Sequence, residues 1–217
     1  MNVYLKSQTE SRMALLYGVW LYAIWSLYVA FIYPLIATNN LLSEFFRVVI
    51  FLLPLYLMYR QFAKPNFQTL GINRNLLSGL LIGIVFSVLY LALVLPLTLT
   101  FRNQALNIET LSKVPIWAAL SIAVVVEEVV FRGYFLVFFE RYGKWTAIIA
   151  STVLFVLIHY PGWWLLDLQP SAYAWVQSSF SIFFLGVILS IIFLRYRSLL
   201  ACIMVHATNN FIASIPV

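Results

Sequence analysis

Charged side chains are scarce in this chain. Only 9% of its 217 residues are charged and 64% are apolar, whereas soluble domains carry about 25% charged and about 45–50% apolar residues. A water-soluble fold of this size could not bury so much apolar surface. The scarcity of charge therefore excludes a soluble enzyme and indicates that lipid is the main solvent.

Cysteine is almost absent. The single Cys202 excludes an internal disulfide, and its apolar neighbours predict inert packing. Acidic residues are also few, 7 against 13 basic ones, but the basic residues are too dispersed to form a nucleic-acid surface. An anionic membrane leaflet accounts for them better, so we expect no nucleic-acid partner. The N-terminal segment has no pattern of a removable signal peptide, and none is expected.

What the chain has instead is a series of long apolar runs. Several reach the roughly 20 residues that a membrane-spanning helix needs. The predicted spans are 13–35, 41–59, 76–101, 114–139, 145–160, 173–194 and 198–215. We therefore predict an all-α, multi-span integral membrane bundle of about seven helices, with residues 1–217 forming one membrane domain.

Local signals mark the ends of two spans. The Tyr-Gly-Lys segment at 142–144 predicts a tight turn after span four, and the Pro-Gly pair at 161–162 predicts the end of span five. Trp163, Trp164 and Trp175 follow that pair. Tryptophan is enriched at membrane surfaces, so these three residues fit an interfacial belt rather than core.

The lysines and arginines predict the orientation of the spans. With the N-terminus in the cytoplasm, nine basic residues fall in inside segments and two in outside segments. The inside residues are Lys6, Arg12, Arg60, Lys64, Arg74, Arg141, Lys144, Arg195 and Arg197, and the outside ones are Arg102 and Lys113. This bias favours a C-terminus outside. Glu44 and Arg47 indicate that span two is partly interfacial.

Six polar residues stand out in predicted spans four, five and seven, because an ionisable group inside a bilayer costs several kcal/mol and usually has a function. They are Glu127, Glu128 and Arg132 in span four, His159 in span five, and His206 and Asn210 in span seven. A chain that has nearly excluded charge from its interior keeps this group, which makes it the main candidate site.

The spacing of these residues predicts which of them share a helix face. Glu128 and Arg132 are four apart and can pair, while Glu127 points about 100° away and is free to face another helix. His206 and Asn210 are also four apart. At 1.5 Å per residue, the polar groups of the three spans lie about 12–21 Å from the inner ends. They can therefore converge in one slab of the membrane.

Such a group of side chains suits the activation of water. A carboxylate buried beside a second acid, or a histidine, can act as a general base. An amide NH₂ and an imidazole N–H can donate to an oxyanion that develops on a carbonyl. Glu127, His159 and His206 could equally hold a divalent metal such as Zn²⁺, which accepts these ligand types. Either arrangement fits hydrolysis.

Three motifs give the chain a family resemblance. Residues 127–132 read EExxxR, 155–159 read FxxxH, and 206–210 read HxxxN. In this order on successive apolar helices, they resemble the CPBP family of intramembrane proteases, also called ABI. That family includes type II CAAX prenyl endopeptidases and bacteriocin-processing or self-immunity proteins. The resemblance covers about residues 114–214, the family-like catalytic core.

The resemblance implies a role for each motif residue. Glu127 would activate the attacking water with help from His159, and His206 and Asn210 would hold the oxyanion. Glu128 and Arg132 would act as an orienting pair. Within this family both a metal-dependent and a metal-free glutamate mechanism are argued. The implied partner is a membrane-associated peptide or protein. The short N-terminus without targeting signals favours the plasma membrane of a bacterial cell.

Two other functions remain open at this stage. One is a non-proteolytic immunity or binding protein that has kept the same fold. The other is a small ion-coupled transporter that uses Glu127 and His206 as a proton relay. The lack of repeats and of paired broken helices argues against the transporter.

Overall fold

A computed structural model describes residues 3–62, 76–102, 121–169 and 171–215. Every regular element in these ranges is helical, and none is a strand. This outcome follows from the composition, because a helix satisfies its own backbone polar groups and can therefore stand in lipid. The predicted fold class, an all-α membrane bundle, is confirmed.

Eight helices make up the described part of the chain. Six of them are regular α-helices: α2 (Asn40–Phe62), α3 (Leu76–Phe101), α5 (Lys144–Leu157), α6 (Tyr160–Leu165), α7 (Ala172–Tyr196) and α8 (Leu199–Ala213). Helix α1 (3–36) contains a π-helical segment, Tyr28–Ile32, between Val3–Leu27 and Tyr33–Ile36. Helix α4 (122–142) consists of Ile122–Glu128, a π-helical segment Val129–Leu136, Val137–Phe139 and a 3₁₀ turn Glu140–Tyr142. Together they form seven crossings of the bundle, with α5 and α6 in one crossing.

Five segments are long and apolar enough to cross a membrane. They are Glu10–Ile36, Asn40–Met58, Leu76–Phe101, Lys144–Leu165 and Ala172–Tyr196. Helix α4 carries three charged side chains in its first half, and α8 has only 15 residues. Both still pack inside the bundle. The first part of predicted span four, 114–120, lies outside the described residues.

The fifth crossing differs from the prediction. The Pro-Gly pair does not end it, because α6 begins at Tyr160 with Pro161 in its first turn. Proline is tolerated there because its missing N–H has no partner in that turn. Trp163 was predicted at the membrane surface but is buried, at 8% exposure, whereas Trp164 is 77% exposed. Trp163 packs between His159 and Trp175, with ring centroids 5.8 and 5.7 Å away.

Contacts at the two ends show an up-and-down bundle. At one end Arg141 lies 3.0 Å from Glu10, and Arg197 pairs with Glu140. At the opposite end Arg102 Nη1 donates to the carbonyl of Ile215 at 2.9 Å. The start of α1 and the end of α8 therefore lie at opposite ends of the bundle, as an odd number of crossings requires. The turn at Gly143 is confirmed, with the residue at φ 106°.

Helix α4 occupies the centre of the bundle, where it contacts α2, α5, α7 and α8. Its buried apolar residues join the main core. The most extensive pairing is between α3 and α8, and glycine permits it: a Cβ on Gly83 would lie 3.3 Å from Ala201 Cα. Small residues let membrane helices approach closely in this way. The central position of α4 brings its acidic residues near α8.

Candidate active site

The two adjacent acids of α4 occupy different environments. They stand where the α-helical segment ends and the π-helical segment begins, and such wider turns are frequent at functional sites. The Glu128 side chain is fully buried, whereas the Glu127 side chain is 16% exposed. Only Glu127 is thus open to a water molecule or substrate.

Glu128 belongs to a buried network of charge. Its Oε1 lies 3.3 Å from Arg132 Nη1, the pair that their spacing predicts, and 2.8 Å from His206 Nδ1 on α8. Glu128 Oε2 and Arg132 Nε are buried without a hydrogen-bond partner in the described structure. Buried ion pairs cost desolvation energy that their attraction rarely exceeds. The network is therefore better explained by the position it gives His206 than by stability.

Arg132 is held by two further contacts. Its Nη2 donates to the carbonyl of Gly186 on α7 at 3.4 Å, and its Cζ lies 4.3 Å from the centre of the Phe155 ring. The ring face attracts the cation. The FxxxH motif thereby contacts the EExxxR motif directly.

His206 stands between both acids. Its Nδ1 donates to Glu128, and its Nε2 lies 3.9 Å from Glu127 Oε2. The bond at Nδ1 fixes the ring, so Nε2 is the nitrogen presented to Glu127. A hydrogen bond at one ring nitrogen commonly sets the orientation of the other nitrogen in a functional histidine.

His159 lies at the break between α5 and α6. Its Nδ1 donates to the carbonyl of Phe155 at 2.7 Å, so in the neutral ring Nε2 carries the lone pair. The Phe155 ring stands edge-on between the two histidines, 5.1 Å from His159 and 5.6 Å from His206. The buried phenylalanine thus spaces the two imidazoles.

Helix α1 supports the break that carries His159. The last carbonyls of α5 have no partner within their own helix. Trp25 Nε1 donates to the carbonyl of Ile158 at 3.0 Å, and the Tyr22 hydroxyl donates to that of Leu157. These contacts hold the turn in place. No sequence signal in α1 indicated this role.

A cavity of about 190 Å³ opens beside Glu127 and His159. Helices α1, α2, α4 and the α5–α6 break contribute to its wall. The polar and aromatic residues that line it are Trp25, Tyr33, Arg47, Phe51, Glu127, His159 and Trp163. The cavity combines a carboxylate, an imidazole and a cation with apolar walls, which is the usual character of a binding site.

Asn210 lies one turn beyond His206 on α8 and is half-buried. Its Oδ1 accepts a hydrogen bond from Asn209 Nδ2 at 3.4 Å, and Asn209 Oδ1 accepts one from the Tyr90 hydroxyl on α3 at 2.9 Å. The structure brings Glu127, Glu128, Arg132 and His206 into one network and places His159 on the same cavity as Glu127. Asn210 lies near this group because it is one turn from His206 on α8, and none of its described contacts is with the acids.

Metal binding by these residues was a sequence prediction. Within the described ranges, no three His, Cys, Asp or Glu side chains are grouped closely enough to hold a metal ion. Both Nδ1 atoms are engaged by Glu128 and the Phe155 carbonyl, which leaves the Nε2 atoms as nitrogen donors, as is usual for metal-binding histidines. The described donors are not grouped as a metal centre, and the Zn²⁺ site stays a prediction.

Sequence reasoning missed Arg47 as a residue of the site. Its charge, and that of Glu44 three residues earlier, was interpreted as a sign of an interfacial span. In the structure Arg47 lines the same cavity as Glu127. The available signal was a basic residue inside an apolar run, the same signal that identified Arg132.

The cavity places a carboxylate and an imidazole inside an apolar helical bundle. This combination defines a membrane-embedded protein that has side chains suited to hydrolysis. Residues 110–212 match the family model described as type II CAAX prenyl endopeptidase Rce1-like. The UPF0177 protein YbdI of Lactococcus lactis subsp. lactis (strain IL1403) is 30% identical over 190 residues, covering 82% of this chain and 96% of that protein. The chain belongs to the CPBP family, with an Rce1-like domain. No solved structure gives a significant match.

This membership supports a protease, since the matched model describes an endopeptidase family. It also agrees with an integral membrane protein surrounded by lipid. The match begins at residue 110. Helices α1 and α2, which supply Trp25 and Arg47 to the cavity, therefore lie outside it.

Proposed function

We propose that this protein is an intramembrane endopeptidase that hydrolyses a peptide bond with water activated by Glu127. The observation that carries the proposal is the difference between the two acids. Glu128 is fully buried and engaged by Arg132 and His206, while Glu127 reaches the cavity that also contains His159. A general base must have access to the proton that it removes.

The reaction follows from this arrangement. The Glu127 carboxylate accepts a proton from a water molecule in the cavity, and the water oxygen attacks the carbonyl carbon of the peptide. The carbonyl oxygen becomes an oxyanion. Collapse of the tetrahedral intermediate breaks the C–N bond, and Glu127 returns the proton to the leaving amine. The products are a carboxylate and an amine, with Glu127 regenerated.

The remaining residues support these steps. His159, with Nδ1 fixed by the Phe155 carbonyl, uses Nε2 to orient the water. In this proposal the His206 ring carries a proton on both nitrogens, so that Nδ1–H donates to Glu128 while Nε2–H, together with the Asn210 amide, donates to the oxyanion. One such donor is worth about 3–4 kcal/mol in other acyl-transfer enzymes. Glu128 and Arg132 hold His206 in position. No step in this mechanism passes through a metal.

The substrate in this proposal is a membrane-associated peptide or protein, and the location is a bacterial plasma membrane. The N-terminus lies in the cytoplasm and the C-terminus outside. Among described residues, Arg141, Lys144, Arg195 and Arg197 lie at the end of the bundle where α1 begins, and Arg102 lies at the other. By the positive-inside rule, this distribution supports the first of these ends as the cytoplasmic one.

The test is cleavage of internally quenched peptides with an N-terminal lipid anchor by the full chain in liposomes. Glu127→Gln and His159→Ala should each lower kcat at least about 100-fold, the lower limit of a general base's contribution. The matched control is Glu10→Gln, which removes a carboxylate that pairs with Arg141 at the far end of the bundle. It should cleave like the wild type.

Thermal unfolding of each variant separates loss of chemistry from loss of fold. A folded Glu127→Gln variant that cleaves at the wild-type rate would contradict the proposal. If the wild type protects cells against a bacteriocin and Glu127→Gln protects equally, the non-proteolytic immunity function is favoured instead.

A further inference from the structure

Arg47 is the basic residue among those that line the cavity beside Glu127. It lies on α2, seven residues after the helix begins at Asn40. Its side chain is 21% exposed, and its Cζ lies 5.5 Å from the centre of the Trp25 ring. A cation so placed inside an apolar span is costly and usually has a partner or a function.

The partner within the protein satisfies Arg47 poorly. Glu44 Oε1 lies 3.6 Å from Arg47 Nη1, which is long for a charge-assisted hydrogen bond. Arg47 Nε and Glu44 Oε2 are both buried without a hydrogen-bond partner in the described structure. A guanidinium has five donors, so Arg47 keeps donors for a further acceptor.

The size of the cavity limits where that acceptor stands. Arg47 and Glu127 line one cavity of about 190 Å³. An extended chain advances about 3.3–3.6 Å per residue. A group bound at Arg47 therefore belongs to a residue close along the chain to the bond that lies at Glu127.

We infer that Arg47 binds a carboxylate of the peptide substrate, close to the bond that is cleaved. The inference rests on the proposed function for the identity of the ligand as a peptide. A guanidinium suits a carboxylate because its planar fork can donate two parallel hydrogen bonds. The carboxylate is either the free C-terminus or an Asp or Glu side chain. Arg47 thus selects substrates with a negative charge beside the scissile bond.

The experiment measures binding rather than cleavage, so it gives an answer even where hydrolysis fails. The Glu127→Gln chain in nanodiscs is titrated into dye-labelled, N-acylated pentapeptides, and fluorescence anisotropy gives Kd. One pair differs only in a free or amidated C-terminus. A second pair, both amidated, carries Asp or Asn at the last position. The pair that shows the preference identifies the source of the carboxylate.

We expect the acidic member of one pair to bind at least about tenfold more tightly, since hydrogen bonds to charged groups have that strength. Adding Arg47→Met should remove this preference, with the larger loss of affinity for the acidic peptide. Arg47→Lys keeps the charge but loses the fork, so it should retain part of the preference.

Glu44→Gln distinguishes a ligand-binding Arg47 from one that only neutralises Glu44. If Arg47 binds the ligand, removing the competing acid should raise the affinity for the acidic peptide. If Arg47 only neutralises Glu44, the substitution should weaken their pair without raising that affinity. Equal binding of acidic and neutral peptides by the Glu127→Gln chain, or binding of neither, overturns the inference. So does a preference that survives Arg47→Met.

Discussion

His206 donates a hydrogen bond from Nδ1 to Glu128 Oε1, 2.8 Å away, and this bond joins α8 to α4. The same oxygen lies 3.3 Å from Arg132 Nη1. One buried carboxylate oxygen therefore positions a histidine and neutralises an arginine. This explains why two adjacent acids are present when only one reaches the cavity.

The buried pair makes a prediction about stability. Arg132→Met leaves the Glu128 charge buried without its partner, and loss of one member of such a pair costs about 3–5 kcal/mol. The double variant with Glu128→Gln should recover most of this loss, because neither charge then remains. Chemical unfolding in detergent measures both. The exposed pair of Arg141 and Glu10 serves as control, with an expected change of at most about 1 kcal/mol.

If Arg132→Met unfolds at the wild-type denaturant concentration, Arg132 does not neutralise the buried Glu128 charge. Glu128→Gln alone should also lower kcat, since His206 loses the carboxylate that fixes its ring.

Tyr90 is predicted to act as a positioning residue for Asn210. Its hydroxyl donates to Asn209 Oδ1 at 2.9 Å, and Asn209 Nδ2 donates to Asn210 Oδ1. This order directs the Asn210 NH₂ away from Asn209 and leaves it free to donate. Tyr90→Phe should lower kcat about fivefold with KM unchanged, the effect of one hydrogen bond of about 1 kcal/mol.

The same substitution in an Asn210→Ala background should have little further effect, because the group that it orients is gone. Tyr56→Phe, on an exposed part of α2, is the matched control. Additive losses from Tyr90→Phe and Asn210→Ala would show that Tyr90 acts elsewhere.

Chelation tests the predicted Zn²⁺ site. Because the described His and acidic donors are not grouped for a metal ion, we expect cleavage to continue after dialysis against EDTA. Elemental analysis of the purified protein accompanies the assay. Loss of activity that zinc restores would instead support Glu127, His159 and His206 as ligands.

Gly186 permits the close approach of α7 to α5. A Cβ at this position would lie 2.7 Å from Thr152 Cγ2, and the Gly186 carbonyl accepts from Arg132. Gly186→Ala should destabilise the protein by about 1–3 kcal/mol through overpacking. Thr152→Ala in the same background removes the clashing methyl and should restore part of that loss.

Gly18→Ala is the control for this substitution, since its Cβ meets only Phe135 Cζ at an ordinary 3.9 Å. Equal unfolding temperatures for Gly186→Ala and Gly18→Ala would contradict the packing argument.

Much of the site could be predicted because membrane burial makes polar residues conspicuous. Glu127, Glu128, Arg132 and both histidines stood out as ionisable groups in apolar runs, and Arg47 was as visible. It was misinterpreted because span two lies far from the three motifs along the chain. Trp163 was misplaced for a related reason: sequence position beside a Pro-Gly pair does not reveal that α6 turns the ring toward Trp175.

The sequence by itself determined what depends on composition and on neighbours within one helix. Apolar runs required helices in lipid, and four-residue spacing required the contact between Glu128 and Arg132. Only the tertiary structure decided the rest, because distances between helices are set by packing rather than by spacing along the chain. Packing separated the two acids, placed His206 against the buried one, and brought Arg47 to the cavity of the other.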